Sequence, residues 1–204
     1  MLARRLAKVL LALLLLVMAG EIGVIYWRMH QPKESPYDPI IVAVAREQGV
    51  DPFLIRALVW RESRFRPGML GNAQERGLMQ VTPAVGAEWA KANKVPNFQT
   101  DDLYNPWVNI RAGTWYLNHA LGHWSSTDDP TTFALAEYNA GRTNALRWVD
   151  PANPSDHVAF LNNITFPTTR QYVETILSKR DEYQTELAHN RWYRDDAPSV
   201  TLSR

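Results

Sequence analysis

The sequence contains no cysteine among its 204 residues. This absence excludes a disulfide framework, a thiolate metal site, a cysteine nucleophile and a lipid anchor attached through cysteine. An excess of positive charge is also missing, because the formal net charge is only +1. The chain therefore lacks the basic footprint of nucleic-acid-binding proteins, and we expect no nucleic-acid partner. What it does have is 46% hydrophobic and 21% charged residues, a composition with enough apolar side chains for a folded core.

The first 28 residues form a basic and then apolar segment. Three basic residues precede the apolar run from Val9 to Ala19, and further apolar residues lead to Trp27. Because a basic flank of this kind stays in the cytoplasm, we expect the rest of the chain to be exported. Two interpretations are open. The segment is either a signal peptide cleaved at about Ala19, which leaves a periplasmic domain, or an inner-membrane anchor from Val9 to Trp27 that is just long enough to span.

Beyond this segment we expect a linker over residues 29–37, one domain over residues 38–190 and a C-terminal tail over residues 191–204. Five helix starts in the domain share one signature, in which a capping residue precedes a proline at the first helical position. These pairs are Asp38-Pro39, Asp51-Pro52, Thr82-Pro83, Asn105-Pro106 and Asp129-Pro130. Apolar residues continue at helical spacing, and no run alternates like a strand, so the pattern predicts a mainly α domain. Gly141 is expected to cap the fifth helix, and a long final helix is expected from Thr168 to His189.

Glu62 falls near the C-terminal end of the helix that begins at Pro52. The carbonyl groups and the negative dipole pole at a helix end destabilise a carboxylate, which raises its pKa. A carboxylic acid that stays protonated near neutral pH can donate a proton to the leaving oxygen of a glycosidic bond. An arbitrary glutamate at this place would more commonly pair with Arg61 or Arg64 at the surface, so the sequence downstream decides the interpretation.

Four short sequence blocks, in a fixed order along the chain, decide between these two interpretations of Glu62. They are Glu-Ser-Arg-Phe-Arg-Pro at 62–67, Gly-Leu-Met-Gln at 77–80, Ala-Glu-Tyr-Asn-Ala-Gly at 136–141 and Pro-Thr-Thr-Arg-Gln-Tyr-Val at 167–173. A looser pattern adds Leu103, Asn105-Pro106, Asn109-Ile110 and Tyr116-Leu117. From about residue 40 to residue 177 the chain resembles the lytic transglycosylase family of the soluble-lytic-transglycosylase type, whose domain has a lysozyme-like fold. Gln80 is eighteen residues past Glu62, which matches the spacing of that family.

The resemblance implies a role for each matching residue. Glu62 would be the catalytic acid and base, and Met79 and Gln80 would line the glycan groove. For Met79, ordinary packing is the alternative. Tyr138 would contact sugar near the acid, Asn139 would hold that loop, and Tyr172 would face the same site from the last helix.

The implied reaction is non-hydrolytic cleavage of peptidoglycan between N-acetylmuramic acid and N-acetylglucosamine, which leaves a 1,6-anhydro end. No metal or organic cofactor is implied. The implied partners are peptidoglycan glycan strands, the membrane through the N-terminal segment, and cell-wall or secretion-machinery proteins.

The chain departs from the family pattern at three places. Gly71 stands where the family often has serine, which removes a hydroxyl near the reacting groups. Gln74 and Glu75 stand where it often has Gly-Ala, and Thr168 replaces a glutamate of the late block.

These departures keep two alternatives open. Glu75 is a candidate second carboxylate, which a hydrolytic muramidase needs across the bond, although an exposed loop glutamate beside Arg76 is the more common arrangement. A non-catalytic peptidoglycan-binding protein would keep the fold and lose turnover.

Two further patterns favour ordinary structural roles. His119 and His123 lie one helical turn apart, but no convincing third ligand accompanies them, so we expect no metal site. Eight tryptophans are many for this length. Core packing is expected for most of them, although sugar-stacking platforms are the alternative.

Overall fold

The computed structural model describes residues 34–187 together with Met18, Gly20, Glu21, Asn190, Trp192 and Tyr193. The rest of the expected signal peptide or anchor, most of the linker and the tail beyond Tyr193 lie outside the described residues. The chain divides into two units, residues 1–33 and residues 34–204. Among the described residues, no helix has both the length and the apolar character needed to cross a bilayer.

Eight α-helices and one short 3-10 helix follow one another between residues 34 and 187. The α-helices are α1 (Asp38–Gln48), α2 (Pro52–Ser63), α3 (Pro83–Ala92), α4 (Pro106–His123), α5 (Pro130–Ala140), α6 (Arg142–Trp148), α7 (His157–Asn163) and α8 (Pro167–Leu187). The 3-10 helix spans Thr100–Tyr104. This part of the chain contains no strand, only two isolated bridges within residues 70–81. The prediction of a mainly α domain is confirmed.

Four of the five predicted proline starts are capped as expected. The side chains of Asp51, Thr82, Asn105 and Asp129 accept hydrogen bonds from backbone N–H groups in the first turns of α2, α3, α4 and α5. Each cap occupies a donor that the helix itself leaves unpaired, and the proline that follows has no donor to lose. The starts of these helices are therefore local properties of the sequence.

Asp38 is the exception, because it is the first residue of α1 rather than its cap. Its carboxylate is fully buried, accepts hydrogen bonds from the Ser35 N–H and the Tyr193 O–H, and lies 2.8 Å from the Arg56 guanidinium. A buried carboxylate needs such partners to offset its desolvation. Tyr193 also stacks on Phe53 with ring centroids 4.9 Å apart, so contacts with the helices extend beyond residue 190.

The core lies around α5, which packs against α4, α6, α7 and α8, while α2 packs against α8. Gly141 ends α5 as predicted, and its φ of 82° is a conformation that glycine adopts without strain. The final helix, predicted from Thr168 to His189, spans Pro167–Leu187. Helix α7 was not predicted. Its cap, Asp156, accepts from Val158 and Ala159, but no proline follows it to complete the signature.

Six described tryptophans lie in the helices or directly beside them, and these six divide into two groups. Trp89, Trp124 and Trp148 are buried in the core, as expected for helical domains of this composition. Trp60, Trp107 and Trp115 are only partly buried and pack against the edge of the core. The indole rings of this second group therefore keep accessible surface.

Candidate active site

Glu62 lies in the last turn of α2, where the chain turns sharply away from the helix. Arg64 and Phe65 both have left-handed backbone conformations, with φ of 53° and 59°. The Arg64 N–H donates to the Trp60 carbonyl and closes the helix. Glu62 is thus held at the junction between a packed helix and the loop that follows.

Burial raises the pKa of Glu62 to about 7, and the negative charge of Glu75 adds to the increase. A hydrogen bond from Tyr172 and the charge of Arg61 act in the opposite direction. The direction agrees with the expectation from the sequence, but the leading cause is desolvation rather than the end of the helix. A carboxyl group with this pKa is about half protonated near neutral pH.

Tyr172 reaches Glu62 from the facing helix, α8. Its hydroxyl donates a hydrogen bond of 2.5 Å to Glu62 Oε1, and its ring is almost fully buried. Burial and the nearby charge of Glu62 raise the pKa of Tyr172 well above its usual range, so it stays a donor. The Arg61 guanidinium lies over the same ring at 5.2 Å from its centroid. The structure therefore brings together the two predicted residues that are farthest apart in the sequence.

Residues 69–81 form a compact loop beside Glu62, which we call the Gln80 loop. Arg76 and Val81 exchange two backbone hydrogen bonds of 2.9 and 3.0 Å. The Gly77 N–H donates to the Met69 carbonyl, and the Gly71 N–H donates to the Glu75 carbonyl. These bonds fix the loop without a sheet.

Asn109 of α4 ties the Gln80 loop to the helical core. Its fully buried side chain accepts from the Met79 N–H at 2.7 Å and donates to the Arg76 and Leu103 carbonyls, also at 2.7 Å. Gly77 fits because a Cβ atom there would lie 2.3 Å from Asn109 Nδ2. The sequence placed Asn109 only in the looser family pattern, and nothing local to it reveals a contact thirty residues away.

Met79 is fully buried, and its sulfur lies 3.8 Å from the Thr114 hydroxyl. A Cβ atom on Gly113 would lie 2.7 Å from the Met79 side chain, so α4 approaches closely because residue 113 is glycine. The structure places this side chain in the core under the loop and not on a surface that a glycan could touch. Its backbone N–H and carbonyl are engaged by Asn109 and Tyr138.

Tyr138 comes from α5 and reaches the same loop. Its hydroxyl donates to the Met79 carbonyl at 2.9 Å, and its ring lies 5.3 Å from that of Tyr116. Burial and the charge of Glu62 raise the pKa of Tyr138 well above its usual range. Tyr138 therefore stays neutral close to Glu62 while it supports the loop.

Gln80 holds the loop together from within. Its backbone is left-handed, with φ of 48°, and its side-chain amide donates to the Gly77 carbonyl at 2.9 Å and to the Met69 carbonyl at 3.3 Å. The side-chain oxygen lies where it would meet a Cβ atom on Gly71 at 2.7 Å. Gln80 is partly exposed, so this oxygen remains a candidate acceptor for a ligand.

Glu75 lies over Gly71 and not beside Arg76. Its carboxylate accepts from the Ala73 N–H at 2.9 Å and is partly buried. The Arg76 guanidinium lies instead near Asp101 at 3.5 Å and over the Tyr104 ring. The structure thus places the carboxylate close enough to Glu62 to raise its pKa.

Asn139 and the start of α8 meet at the edge of this region. The Thr169 hydroxyl donates to Asn139 Oδ1 at 2.8 Å, and Asn139 itself is exposed. Thr168, which replaces the glutamate of the family pattern, is also exposed. Asn139 therefore links the last turn of α5 to α8, the helix that carries Tyr172.

The two histidines of α4 do not share a site. His119 Nδ1 lies 2.9 Å from the Trp115 carbonyl, and His123 Nδ1 lies 2.8 Å from the buried carboxylate of Glu137. Another group, Asp128, Asp156 and His157, places three potential ligand atoms within 4.8 Å of one another. Hydrogen bonds from His157 to Asp128, together with the capping role of Asp156, account for that arrangement.

Comparison with known proteins gives one consistent result. The family model described as Transglycosylase SLT domain matches residues 39–159. A soluble lytic murein transglycosylase of Escherichia coli is 30% identical over 146 residues, which are 71% of this chain and 21% of that protein. A membrane-bound lytic murein transglycosylase C of Glaesserella parasuis is 34% identical over 122 residues, 56% of this chain and 33% of that protein.

A solved structure agrees with these relatives. An inactive mutant of the lytic transglycosylase Slt from Pseudomonas aeruginosa superposes with a TM-score of 0.67 at 28% identity, over 72% of this chain and 24% of that one. The expected lysozyme-like fold is thereby confirmed. The chain spans about a quarter of the length of the soluble relatives that it matches. On its sequence and its fold, the chain belongs to the Transglycosylase SLT domain family.

Proposed function

We propose that this protein cleaves the glycan strands of peptidoglycan as a lytic transglycosylase. The observation that carries the proposal is a single carboxyl group, Glu62, whose pKa of about 7 lets it act as both acid and base at neutral pH. Family membership and the names of the relatives, which are lytic murein transglycosylases, support the choice of substrate.

The reaction needs two proton transfers by one residue. Protonated Glu62 gives its proton to the oxygen that links N-acetylmuramic acid to N-acetylglucosamine, and that bond breaks. The C6 hydroxyl of the muramic sugar then attacks its own anomeric carbon, and the Glu62 carboxylate accepts the hydroxyl proton. The product carries a 1,6-anhydro ring, no water is consumed, and Glu62 is protonated again.

The surrounding residues favour this cycle. The hydroxyl of Tyr172 stabilises the carboxylate form of Glu62, and burial stabilises the acid form, so neither state is strongly preferred. Tyr138 and Gln80 fix the loop on which a glycan strand would rest, and a fixed loop provides orientation. We assign glycan contacts to Gln80 and Asn139, whose side chains are accessible.

A hydrolytic muramidase is the second candidate, and one observation favours it. Glu75 lies close enough to raise the pKa of Glu62, as a base that activates water would. Against it, the Glu75 carboxylate is held locally by the Ala73 N–H over Gly71, beside the Gln80 side chain. We therefore place Glu75 as an electrostatic neighbour of the acid.

A non-catalytic binding protein is the third candidate, and the raised pKa of Glu62 argues against it.

The deciding experiment is mass spectrometry of the muropeptides released from intact sacculi by the full-length chain in detergent. Products one water lighter than hydrolytic products support the transglycosylase. Ordinary reducing ends would move the assignment to a muramidase and to Glu75. Binding to sacculi without any release would establish the non-catalytic alternative.

We also propose that the domain faces the periplasm, because its substrate lies there and the N-terminal segment is basic and then apolar. Mass spectrometry of the chain isolated from membranes distinguishes the two forms of this proposal. An intact N-terminus indicates an anchor, and a chain that begins after about Ala19 indicates a signal peptide.

A further inference from the structure

A second groove lies between α1, α3 and α4 and encloses about 630 Å³. None of Glu62, Gln80, Tyr138 and Tyr172 lines it. On α4 it is lined by Trp107, Arg111 and Trp115, which are four residues apart and so share one face of the helix. Gly113 contacts Met79 under the Gln80 loop. It is two residues from both Arg111 and Trp115, so it points about 200° away from them around the helix axis. The groove and the candidate active site are therefore on opposite faces of α4.

Indole rings form the apolar part of the groove. Trp89 is buried and provides a wall, whereas Trp107 and Trp115 are partly exposed. The core tryptophans Trp124 and Trp148 donate their indole N–H groups to Glu137 and Thr165. Among the described residues, no acceptor is found for the indole N–H of Trp107 or Trp115, so both donors remain for a ligand or water.

Side-chain amides form the polar part. Gln48 donates to the Arg111 carbonyl at 3.1 Å, Asn118 donates to the Gln48 carbonyl at 3.0 Å, and Asn93 donates to the Trp89 carbonyl at 2.9 Å. Each amide thus uses its NH₂ group on the backbone, and within residues 34–187 its oxygen accepts no hydrogen bond. All three residues line one groove and each keeps an acceptor that is not used within the described part of the domain. Fixed polar groups cost little entropy when a ligand binds.

The charge of the groove favours neither anions nor cations. Glu47 and Arg111 form an ion pair at 2.9 Å, with about half of each side chain exposed. The Arg111 guanidinium also lies 5.3 Å from the Trp107 ring centroid. The two charges cancel, so an anionic or cationic ligand gains nothing over a neutral one.

We infer that this groove binds a neutral pyranose unit, such as N-acetylglucosamine, of a glycan strand. A pyranose ring has apolar C–H faces, which match indole rings, and a rim of hydroxyl and amide N–H donors, which match three amide oxygens. The volume suits a ligand of one or two sugar rings. The inference rests on the proposed function, which supplies a glycan polymer as the substrate.

The consequence is a second hold on long substrates. When one strand occupies both sites, the second contact forms at a high effective concentration and lowers the apparent Kd. A fragment too short to occupy the groove and the candidate active site together gains no affinity from the groove. The groove should therefore affect intact sacculi and leave short muropeptides unaffected.

The first test measures contact directly and does not require turnover. The full-length chain with Glu62→Gln, in detergent micelles and labelled with ¹⁵N, is titrated with N-acetylglucosamine tetrasaccharide while the indole N–H signals are followed by NMR. Trp107→Phe and Trp115→Phe assign their signals, and the signal of buried Trp148 is the internal control. Saturable shifts of the Trp107 and Trp115 signals support the inference. Shifts confined to the indole signals of other tryptophans, or no shifts, overturn it.

The second test compares substrates in the active chain. Trp115→Ala should raise KM on sacculi about threefold or more and leave kcat/KM on a short soluble muropeptide unchanged. Val158→Ala, which removes an exposed apolar side chain on α7, is the matched control. Equal losses on both substrates would overturn the inference, and the Tm of each variant identifies a folding defect.

The two proposals fail differently. If the unmutated chain releases nothing from sacculi but the Trp107 and Trp115 signals shift, the groove stands and the catalytic proposal falls. If anhydro products appear and neither signal moves, the groove is wrong and the catalytic proposal stands.

Discussion

The carboxylate of Glu75 occupies the space that a side chain at residue 71 would need. A Cβ atom on Gly71 would lie 2.3 Å from Glu75 Oε2 and 2.7 Å from Gln80 Oε1. The two departures from the family pattern are therefore physically linked, since the absence of a side chain at residue 71 makes room for the longer side chain at residue 75. One consequence is a second negative charge near Glu62.

Gly71→Ala should disturb activity more than stability. The atoms that the new methyl group meets are the ends of two flexible side chains, so the free energy of unfolding should change by about 1 kcal/mol or less. Displacing Gln80 and Glu75 should lower kcat/KM on sacculi about tenfold.

Two comparisons check this prediction. Gly122→Ala, where no atom lies within 4 Å of the new Cβ, should leave kcat/KM unchanged. In a Glu75→Ala background the effect of Gly71→Ala should shrink, because the nearest obstacle is gone. Full additivity of the two substitutions would show that the residues do not interact.

Glu62→Gln should remove turnover and preserve binding to sacculi. The amide is nearly isosteric but cannot donate or accept the catalytic proton, and loss of general acid–base catalysis costs about 10²–10⁴ in rate. Release of muropeptides measured by mass spectrometry gives the rate, and co-sedimentation with sacculi gives binding. Glu88→Gln, on the exposed side of α3, is the control and should retain full activity. Appreciable turnover by Glu62→Gln would exclude this residue as the acid.

The pH profile should show an alkaline limb near pH 7. The reaction needs protonated Glu62, so kcat/KM is high below its pKa of about 7 and falls as the pH rises through that value. Glu75→Gln removes a negative charge that raises this pKa, so the limb should move to lower pH. Its products should still be anhydro ends. Reducing ends in the parent that disappear in Glu75→Gln would identify Glu75 as the second carboxylate of a hydrolase.

Tyr172→Phe should move the alkaline limb of the pH profile to higher pH, opposite to the effect of Glu75→Gln. The Tyr172 hydroxyl stabilises the Glu62 carboxylate, so its removal raises the pKa of Glu62 and extends activity to higher pH. The maximal rate should fall about tenfold, because a hydrogen bond to a charged group contributes about 1.5–3 kcal/mol. Tyr183→Phe, a buried tyrosine on the same helix, is the matched control. A purely structural role of Tyr172 would lower the Tm and leave the limb in place.

Asn109→Ala should destabilise the domain and loosen the Gln80 loop. The substitution leaves the Met79 N–H and the Arg76 and Leu103 carbonyls without their partner, at a cost of about 3 kcal/mol. Denaturant unfolding measures the loss, and hydrogen exchange at residues 76–81 reports the loosening. Asn163→Ala, at the exposed end of α7, should change neither quantity by more than about 0.5 kcal/mol. Unchanged exchange in Asn109→Ala would show that other contacts hold the loop.

How well the sequence predicts the structure differs from element to element. The starts of α2 to α5 could be predicted because a cap and a proline act within one turn. The same rule was wrong for Asp38, whose partners Arg56 and Tyr193 are distant in the sequence. It also missed α7, which has a cap but no proline.

In the candidate site, too, some features could be predicted from the sequence and others depend on distant contacts. The spacing of the blocks nominated Glu62, Gln80, Tyr138 and Tyr172, and the structure brings all four into one region. The sequence left open whether Met79 lines the groove or packs, and it did not reveal the contacts of Asn109, since both depend on how closely α4 approaches the loop. The position of Glu75 depends on the space above Gly71, which no local pattern records.

The sequence by itself determined the class of fold and the places where most helices begin, and it nominated Glu62 as the candidate acid, because these depend on neighbouring residues and on ordered motifs. Only the tertiary structure decided the protonation behaviour of this carboxyl group. The pKa of Glu62 is set by burial, by a tyrosine 110 residues away and by the charge of Glu75. The groove on the other face of α4 has the same origin, since its indole rings and amides meet only when α1, α3 and α4 pack together. Desolvation and long-range contact exist only in the folded chain.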